Sequence, residues 1–466
     1  TWEEDGHSYM LPLLSLDDPD GSSYFVPLAL AWEDGDDDER SARLQPAALA
    51  RVRQHANVGV MADAFHDAHF CHALIAAIGA GREIPAGHGR MVFRPTQAFA
   101  DRATGTAGRP VSRPLGMSSN TVVLVDDTLF LKGYRRVREG TNPELEMGRF
   151  LTDVARFANC VPVLGSLEYV SEDGRTMTLA MVQSYIPNQG DGWDYTLGYL
   201  ERHLELVRGS DAPPEPPPLA HGGFLELAGT LGRRTAEMHR ALAIRSGDPA
   251  FEPEPMLAGD ADWLRERALR ESDETLELLR ARIDGLPEPV QEEAQTLLAR
   301  QEALRETITQ AQVRVEGGLR TRYHGDYHLG QVLVSGNDFL IIDFEGEPAR
   351  SFEERRAKGS ALRDVAGMLR SFNYARWSAL KRVARSTGEV ERLMPVAADW
   401  ESAVRQAFLD AYAATLDDGR PIDAGLLSLL ELEKALYELR YELNNRVEWA
   451  QVPLQGLLAL LPPATR

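Results

Sequence analysis

The sequence predicts an α+β protein: a small β-rich lobe preceded by an N-terminal cap subdomain, then a large, mainly α-helical lobe. Three observations lead there. Between residues 121 and 184, β-rich runs flank a single helix start. After Tyr185-Ile186-Pro187, helical periodicity takes over to the end. The strand-like interruption of that helical half, residues 321–343, carries His324, Asp326, His328, Gln331 and Asp343.

The boundaries expected are 1–105 for the cap, 106–186 for the β-rich lobe and 187–466 for the helical lobe. In the cap, residues 9–14 and 24–32 read as strands. The charge run at 34–40 reads as a solvated loop. Residues 46–54 and 65–78 have helical periodicity, the second stopping at Gly79-Ala80-Gly81. In the β-rich lobe, 121–125 and 128–132 form a hairpin through Asp126-Asp127. Asn142-Pro143-Glu144 starts a helix, with an N-cap, a proline in the first helical position and an acid in the first turn. A second hairpin joins 161–170 to 176–184 through a turn at 171–174. In the helical lobe, 225–242, 290–313 and 430–447 are helices by periodicity, and the proline-rich segment 211–218 is a stiff connection.

Composition excludes several classes. At 466 residues the chain exceeds one compact core, so two or three units are expected. A net charge of −21 argues against nucleic acid or an anionic membrane as partner. Only Cys71 and Cys160 are present, which excludes a disulfide framework and suits the cytoplasm. There is no apolar run of bilayer-spanning length and no leader-like N-terminus. The chain opens at Thr1 and enters a strand-like segment at once, as a module of a longer polypeptide would.

The polar cluster is Tyr323-His324-Gly325-Asp326-Tyr327-His328-Leu329-Gly330-Gln331, followed by Ile341-Ile342-Asp343-Phe344-Glu345-Gly346. Asp343 stands at the exit of an apolar strand. Phosphoryl transfer needs this inventory: one carboxylate orients the attacking hydroxyl, while an amide oxygen and a second carboxylate hold the Mg²⁺ bridging the nucleotide phosphates. Two other readings stay open here. His-x-Asp-x-His is also a transition-metal pattern of hydrolases, and an Asp at a strand end also caps turns.

A nucleotide site also requires a strand lysine and an acid on the next helix to hold it. Lys132 ends its strand in the right place, with Glu146 the expected partner and Glu144 the alternative. In the preceding loop, Ser118, Ser119 and Asn120 face phosphate oxygens or form an ordinary β-turn. Gln183, Tyr185 and Ile186 occupy the hinge, where backbone groups would meet adenine. On the last long helix, Lys434, Tyr437, Glu438 and Tyr441 recur at i, i+3, i+4 and i+7, with Asn445 one turn on. Charge, phenol and amide on one face suit a sugar; the alternative is an exposed helix with a surface ion pair.

The first cluster resembles the H-G-D-x-H-x-x-N signature of aminoglycoside and choline kinases, relatives of the protein kinases, with Gln331 in place of Asn. Taken with Ile342-Asp343-Phe344-Glu345-Gly346-Glu347-Pro348, the run Arg363–Phe372 and Glu433-Lys434-Ala435-Leu436-Tyr437-Glu438, it is similar to the bacterial maltokinases along almost the whole chain. The resemblance implies a bilobal protein-kinase-like fold and ATP- and Mg²⁺-dependent phosphorylation of the anomeric hydroxyl of maltose. The products would be maltose 1-phosphate and ADP, feeding α-glucan (glycogen) synthesis from trehalose, with fusion to or association with trehalose synthase. It implies that Asp326 receives the acceptor hydroxyl's proton and His324 supports the loop. Asp343 and Gln331 would hold Mg²⁺, assisted by Glu345, and His328 would be structural or substrate-adjacent. Rivals are a kinase of the same fold acting on another sugar or an aminoglycoside, and a catalytically silent sugar-binding module.

Overall fold

The computed structural model describes residues 1–463 apart from 5, 18–21, 34–36, 104, 106–107, 115–119, 210–220, 349 and 417–420. The expected phosphate-facing residues Ser118 and Ser119 and the proline-rich segment 211–218 lie outside the described residues. The chain forms two compact units, Thr1–Pro187 and Asn188–Arg466. The first is β-rich and the second mainly helical, which is the predicted α+β class.

In the first unit a seven-stranded sheet runs in the order Val111–Ser112, Thr121–Val125, Leu129–Gly133, Thr176–Ser184, Val163–Ser171, Gly89–Pro95 and Glu83–Pro85. The last two strands come from the region assigned to the cap. A separate five-stranded sheet is built from residues 2–63. The Ala68–Gly79 helix packs against the large sheet, and one hydrophobic core joins Tyr9, Phe65, Phe70 and Ile78 to Val123, Leu131, Leu167 and Met181. Gly165 makes that approach possible, because a Cβ there would lie 2.3 Å from an Ile78 methyl. The 121–133 hairpin turns at Asp126 and Asp127, both with positive φ (53° and 48°), as a two-residue turn matching strand twist requires.

Two local expectations are corrected. Residues 46–54 are not helical: a single 3₁₀ turn, Gln45–Ala47, leads into the strand Ala48–Gln54. That strand pairs with Asn57–Asp63, and the backbone bonds of the pair override the short run's helical pattern. Of the charge run 34–40, residues 34–36 lie outside the described residues, and 38–40 open a helix rather than a loop. Asp38–Leu44 is a helix, and Arg40 is buried with its Nη2 2.6 Å from the Asp67 carboxylate.

In the second unit the Gly222–Leu242 and Thr387–Leu416 helices lie along one another. Gly232 permits the contact, since a Cβ there would sit 2.2 Å from the Phe408 carbonyl oxygen. The Leu362–Val383, Ala424–Asn445 and Ala258–Arg282 helices complete the bundle. Residues 290–313, expected as one helix, form two, Glu288–Ala299 and Gln301–Thr309, broken at Arg300. The hairpin Val332–Ser335 with Asp338–Ile341 delivers Asp343 just past its second strand. Arg234 braces it, gripping Asp338 through two hydrogen bonds of 2.8 and 2.7 Å. Among the described residues no helix is long and apolar enough to cross a membrane.

Candidate active site

Lys132 lies on Leu129–Gly133, an interior strand of the large sheet next to its central strand Thr176–Ser184, and is paired there with Met181. Its ammonium meets the carboxylate of Glu144 at 2.7 Å, and the Tyr134 hydroxyl donates to the same oxygen at 2.6 Å. Glu144, not Glu146, is therefore the partner. Asn142 caps the Pro143–Arg149 helix, accepting from the backbone amides of Glu144 and Leu145. This fixes the first turn so that Glu144 faces inward and is buried. Glu146, two residues on, turns to another side of the helix, because i and i+2 never share a face. At the end of the adjoining strand, the Tyr185 amide donates to the Thr128 carbonyl at 2.7 Å, and Gln183 pairs with Phe130 and Val163. Ile186 follows directly, and Asn120 begins the bend into the 121–125 strand.

In the second unit the loop from Tyr323 to Gln331 is held by buried side chains. Asp364, in the first turn of the Leu362–Val383 helix and 1% exposed, accepts from the backbone amides of His324 (2.7 Å) and Gly325 (2.9 Å). Its Oδ2 also lies 3.0 Å from His239 Nε2. Burial opposes ionisation of Asp364, but the hydrogen bond and charge of His239 hold its carboxyl below the usual range. His324 Nε2 reaches the Ile342 carbonyl at 2.8 Å, and its Nδ1 accepts from the Asp326 amide. His324 thus ties the 323–331 loop to the hairpin that carries Asp343. The Tyr327 hydroxyl meets Thr235 and the Leu329 amide donates to Ser371, so two helices pin the loop's far end.

Asp326 is partly exposed beside this framework. His328 Nε2 lies 4.0 Å from its Oδ2, and Lys434 Nζ lies 3.6 Å from its Oδ1. Burial pushes His328 below its ordinary pKa, so at neutral pH it is uncharged. Its Nδ1 accepts from the Gly330 amide, which leaves Nε2 to carry the proton. Asp343 adopts a positive φ of 62°, and the Gln331 amide donates to its carboxylate at 3.2 Å. The longer glutamine side chain therefore still reaches the aspartate. Glu345, half-buried, offers its carbonyl to Arg355.

Next to Asp326 is a pocket lined by Gly325, Tyr323, Glu347, Arg350, Lys434 and Tyr437 among others. Lys434 Nζ sits 2.9 Å from Glu347 and 4.9 Å from the Tyr437 ring centroid. Burial works against charge on Lys434, but Glu347, Asp326 and Glu438 outweigh it and raise its pKa. Of the helical face read from the sequence, Lys434 and Tyr437 line this pocket. Glu438 is turned onto Arg370 (2.7 Å), Tyr441 is half exposed, and Asn445 bonds to the Tyr441 carbonyl.

Residues 111–421 match the phosphotransferase enzyme family APH. The chain belongs to that family. It is 29% identical over 393 residues to a glucosamine kinase of Streptacidiphilus jiangxiensis, covering 82% of this chain and 81% of the relative. A glucosamine kinase of Mycolicibacterium smegmatis is 28% identical over 358 residues, covering 76% and 80%. A solved glucosamine kinase, in complex with glucosamine, ADP and inorganic phosphate, superposes with a TM-score of 0.67 at 23% identity, over 98% of this chain and 92% of that one. At that identity the likeness establishes the fold.

For a phosphotransferase the donor set around Asp343 is chemically apt. Mg²⁺ takes oxygen ligands: the Asp343 carboxylate offers them, and the Gln331 amide, whose nitrogen faces that carboxylate, carries its oxygen on the other side of the same group. Sequence reasoning assigned no role to Asp364, Glu347, Arg350 or Glu433. A signal for Asp364 existed: a lone acid ahead of the apolar run Val365–Leu369 must find partners when buried. For Glu347 there was only its place four residues after Asp343.

Proposed function

We propose that this chain transfers the γ-phosphoryl group of ATP to a hydroxyl of an uncharged sugar, with maltose at its anomeric position the acceptor best supported. The observation that carries the reading is the charge pairing of the pocket beside Asp326. Its lining holds four acids, Glu271, Glu347, Glu354 and Glu433, and four cations, Arg350, Arg355, Arg363 and Lys434. Glu347 is held by Lys434 and Arg350, Glu433 by Arg363 (3.0 Å) and Arg267 (2.8 Å), and Glu271 by Arg440. Glu354 is exposed at the rim and caps its own helix through Ser351. A sugar ammonium would find these carboxylates already engaged and cations beside it, whereas hydroxyls can bond to either sign.

The names of the two relatives support a sugar acceptor and favour glucosamine as the second reading. The resemblance of Glu433–Glu438 and of the Gln331 loop to the maltokinases favours maltose. In either case Asp326 accepts a hydrogen bond from the attacking hydroxyl and takes its proton late. A loose transition state asks for position and charge neutralisation more than for a strong base. Lys132, held by Glu144, binds nucleotide phosphates. Asp343 and Gln331, with Glu345 assisting, would hold Mg²⁺, which supplies neutralisation of the phosphate charge. Tyr437 and Lys434 orient the sugar. A cytoplasmic location and covalent or non-covalent association with trehalose synthase complete the proposal.

The test is incubation with ATP, Mg²⁺ and a panel of maltose, glucose, glucosamine and aminoglycosides, with ³¹P NMR identifying the phosphorylated position. Maltose 1-phosphate is the expected product. A sole product from glucosamine would replace the maltose reading with the second one.

A further inference from the structure

Two loops of the second unit cross backbone to backbone beside the acceptor pocket. Gly325 and Gly346 both have positive φ (88° and 73°), and a Cβ on Gly325 would lie 3.3 Å from the Gly346 Cα. The residues that follow each glycine, Asp326 and Glu347, are acidic. The crossing thus brings together two carboxylates, one on the catalytic loop and one on the loop that carries Asp343. Like charges so placed repel in a partly desolvated site. One ammonium from a third element answers both: Lys434 Nζ is 2.9 Å from Glu347 Oε1 and 3.6 Å from Asp326 Oδ1. Glu347 is 6% exposed and is also gripped by Arg350, so it is the fixed anchor. Asp326 is the more exposed partner.

We propose that Glu347 and Lys434 are positioning residues for Asp326: Glu347 fixes the ammonium, and the ammonium holds the Asp326 carboxylate where the acceptor hydroxyl arrives. This rests on the reading of Asp326 as the group that receives that hydroxyl. It differs from a role for Lys434 as a sugar ligand alone, because a sugar ligand would need no buried acid behind it. Glu347 touches no reacting atom and acts entirely through Lys434. Tyr437, with its ring under the ammonium, closes the remaining side.

The experiment is a mutant cycle on the full chain with Lys434→Met, Lys434→Arg, Glu347→Gln and the Lys434→Met/Glu347→Gln double variant, reading kcat, acceptor KM and thermal midpoint. A carboxylate displaced by an ångström costs on the order of 100-fold in rate, so Lys434→Met should lose about that in kcat. Glu347→Gln should lose roughly ten-fold in kcat, with acceptor KM changed by less than about three-fold. Lys434→Arg should recover most of the loss. In the double variant, Glu347→Gln should add no further loss beyond about two-fold, because its only route to Asp326 is already cut. Additive kcat losses, or a Lys434→Met effect confined to acceptor KM, would overturn the proposal. If Lys434→Met does not fold, Glu347→Gln still decides: unchanged kcat rejects the proposal. Should the wild type phosphorylate no sugar, the functional reading falls, and the thermal midpoints still test the shared pair. Non-additive midpoint losses support it and additive ones reject it.

Discussion

Asp326 is placed by atoms that are not its own. Its backbone amide donates to His324, whose ring is tied to the hairpin carrying Asp343, and the preceding amides are spent on Asp364. Replacing Asp326 with Asn leaves those backbone bonds intact and removes the proton acceptor. The expected result is a kcat lower by about 10²–10⁴-fold with an unchanged thermal midpoint. Full turnover in Asp326→Asn would remove it from the reaction. Glu347 makes a different prediction, about pH. Burial alone would raise its pKa, but Lys434 and Arg350 hold it down at about 2, against 4.5 in the unfolded chain. The stability this contributes is present above pH 4.5 and is lost as pH falls towards 2. By the size of the shift it is on the order of 3 kcal/mol. Acid unfolding followed by circular dichroism should therefore lose part of its slope across that window in Glu347→Gln. An identical acid limb would show that the pair adds nothing to stability.

Among the elements, the Pro143–Arg149 helix shows what local chemistry reveals and where it stops. Asn142, Pro143 and the acid behind them mark its start, because capping is decided within one turn. The inward-facing acid is decided by how that turn docks on Leu129–Gly133, a tertiary matter. Glu144→Gln should therefore weaken ATP binding by tenfold or more, since breaking a buried pair removes the carboxylate that fixes the Lys132 ammonium. Glu146→Gln should change ATP KM by less than about three-fold, and the reverse ranking in a direct nucleotide-binding titration would restore Glu146. The Ala48–Gln54 strand was misread for a related reason. Its identity is set by pairing with Asn57–Asp63, while its own seven residues fit a helical pattern equally well. The Leu362–Val383 helix, by contrast, carries its function in one residue. Asp364→Ala leaves the buried His324 amide, the half-buried Gly325 amide and His239 without their acceptor, so it should destabilise by roughly 3–5 kcal/mol in urea titrations.

At the scale of the molecule, the passage from strands to helices after Pro187 was legible, because period and turn chemistry repeat over long stretches. The hairpin that delivers Asp343 close to the 323–331 loop was legible too, since the two lie close in sequence. The pocket walls were not: Glu347, Arg350, Arg363 and Glu433 come from three separate segments, Arg267 behind Glu433 comes from a fourth, and they meet only when the bundle packs. Their pairing sets a local field that opposes the global one. A net charge of −21 draws cations, glucosamine included, towards the surface, yet the paired pocket offers an ammonium no unengaged acid within it. The global field is screened within about 10 Å at 0.1 M salt, while buried pairs are screened much less, so the pocket should win. Below the sugar amine's pKa, kcat/KM for maltose should exceed that for glucosamine by at least about ten-fold. Raising pH through the amine's titration should improve glucosamine alone. Added salt should leave the maltose value within about two-fold and lower the glucosamine value further. Steady-state kinetics on both sugars across pH and salt read all of this, and a glucosamine preference that grows as pH falls would show that an acid in the pocket is open to the ammonium after all.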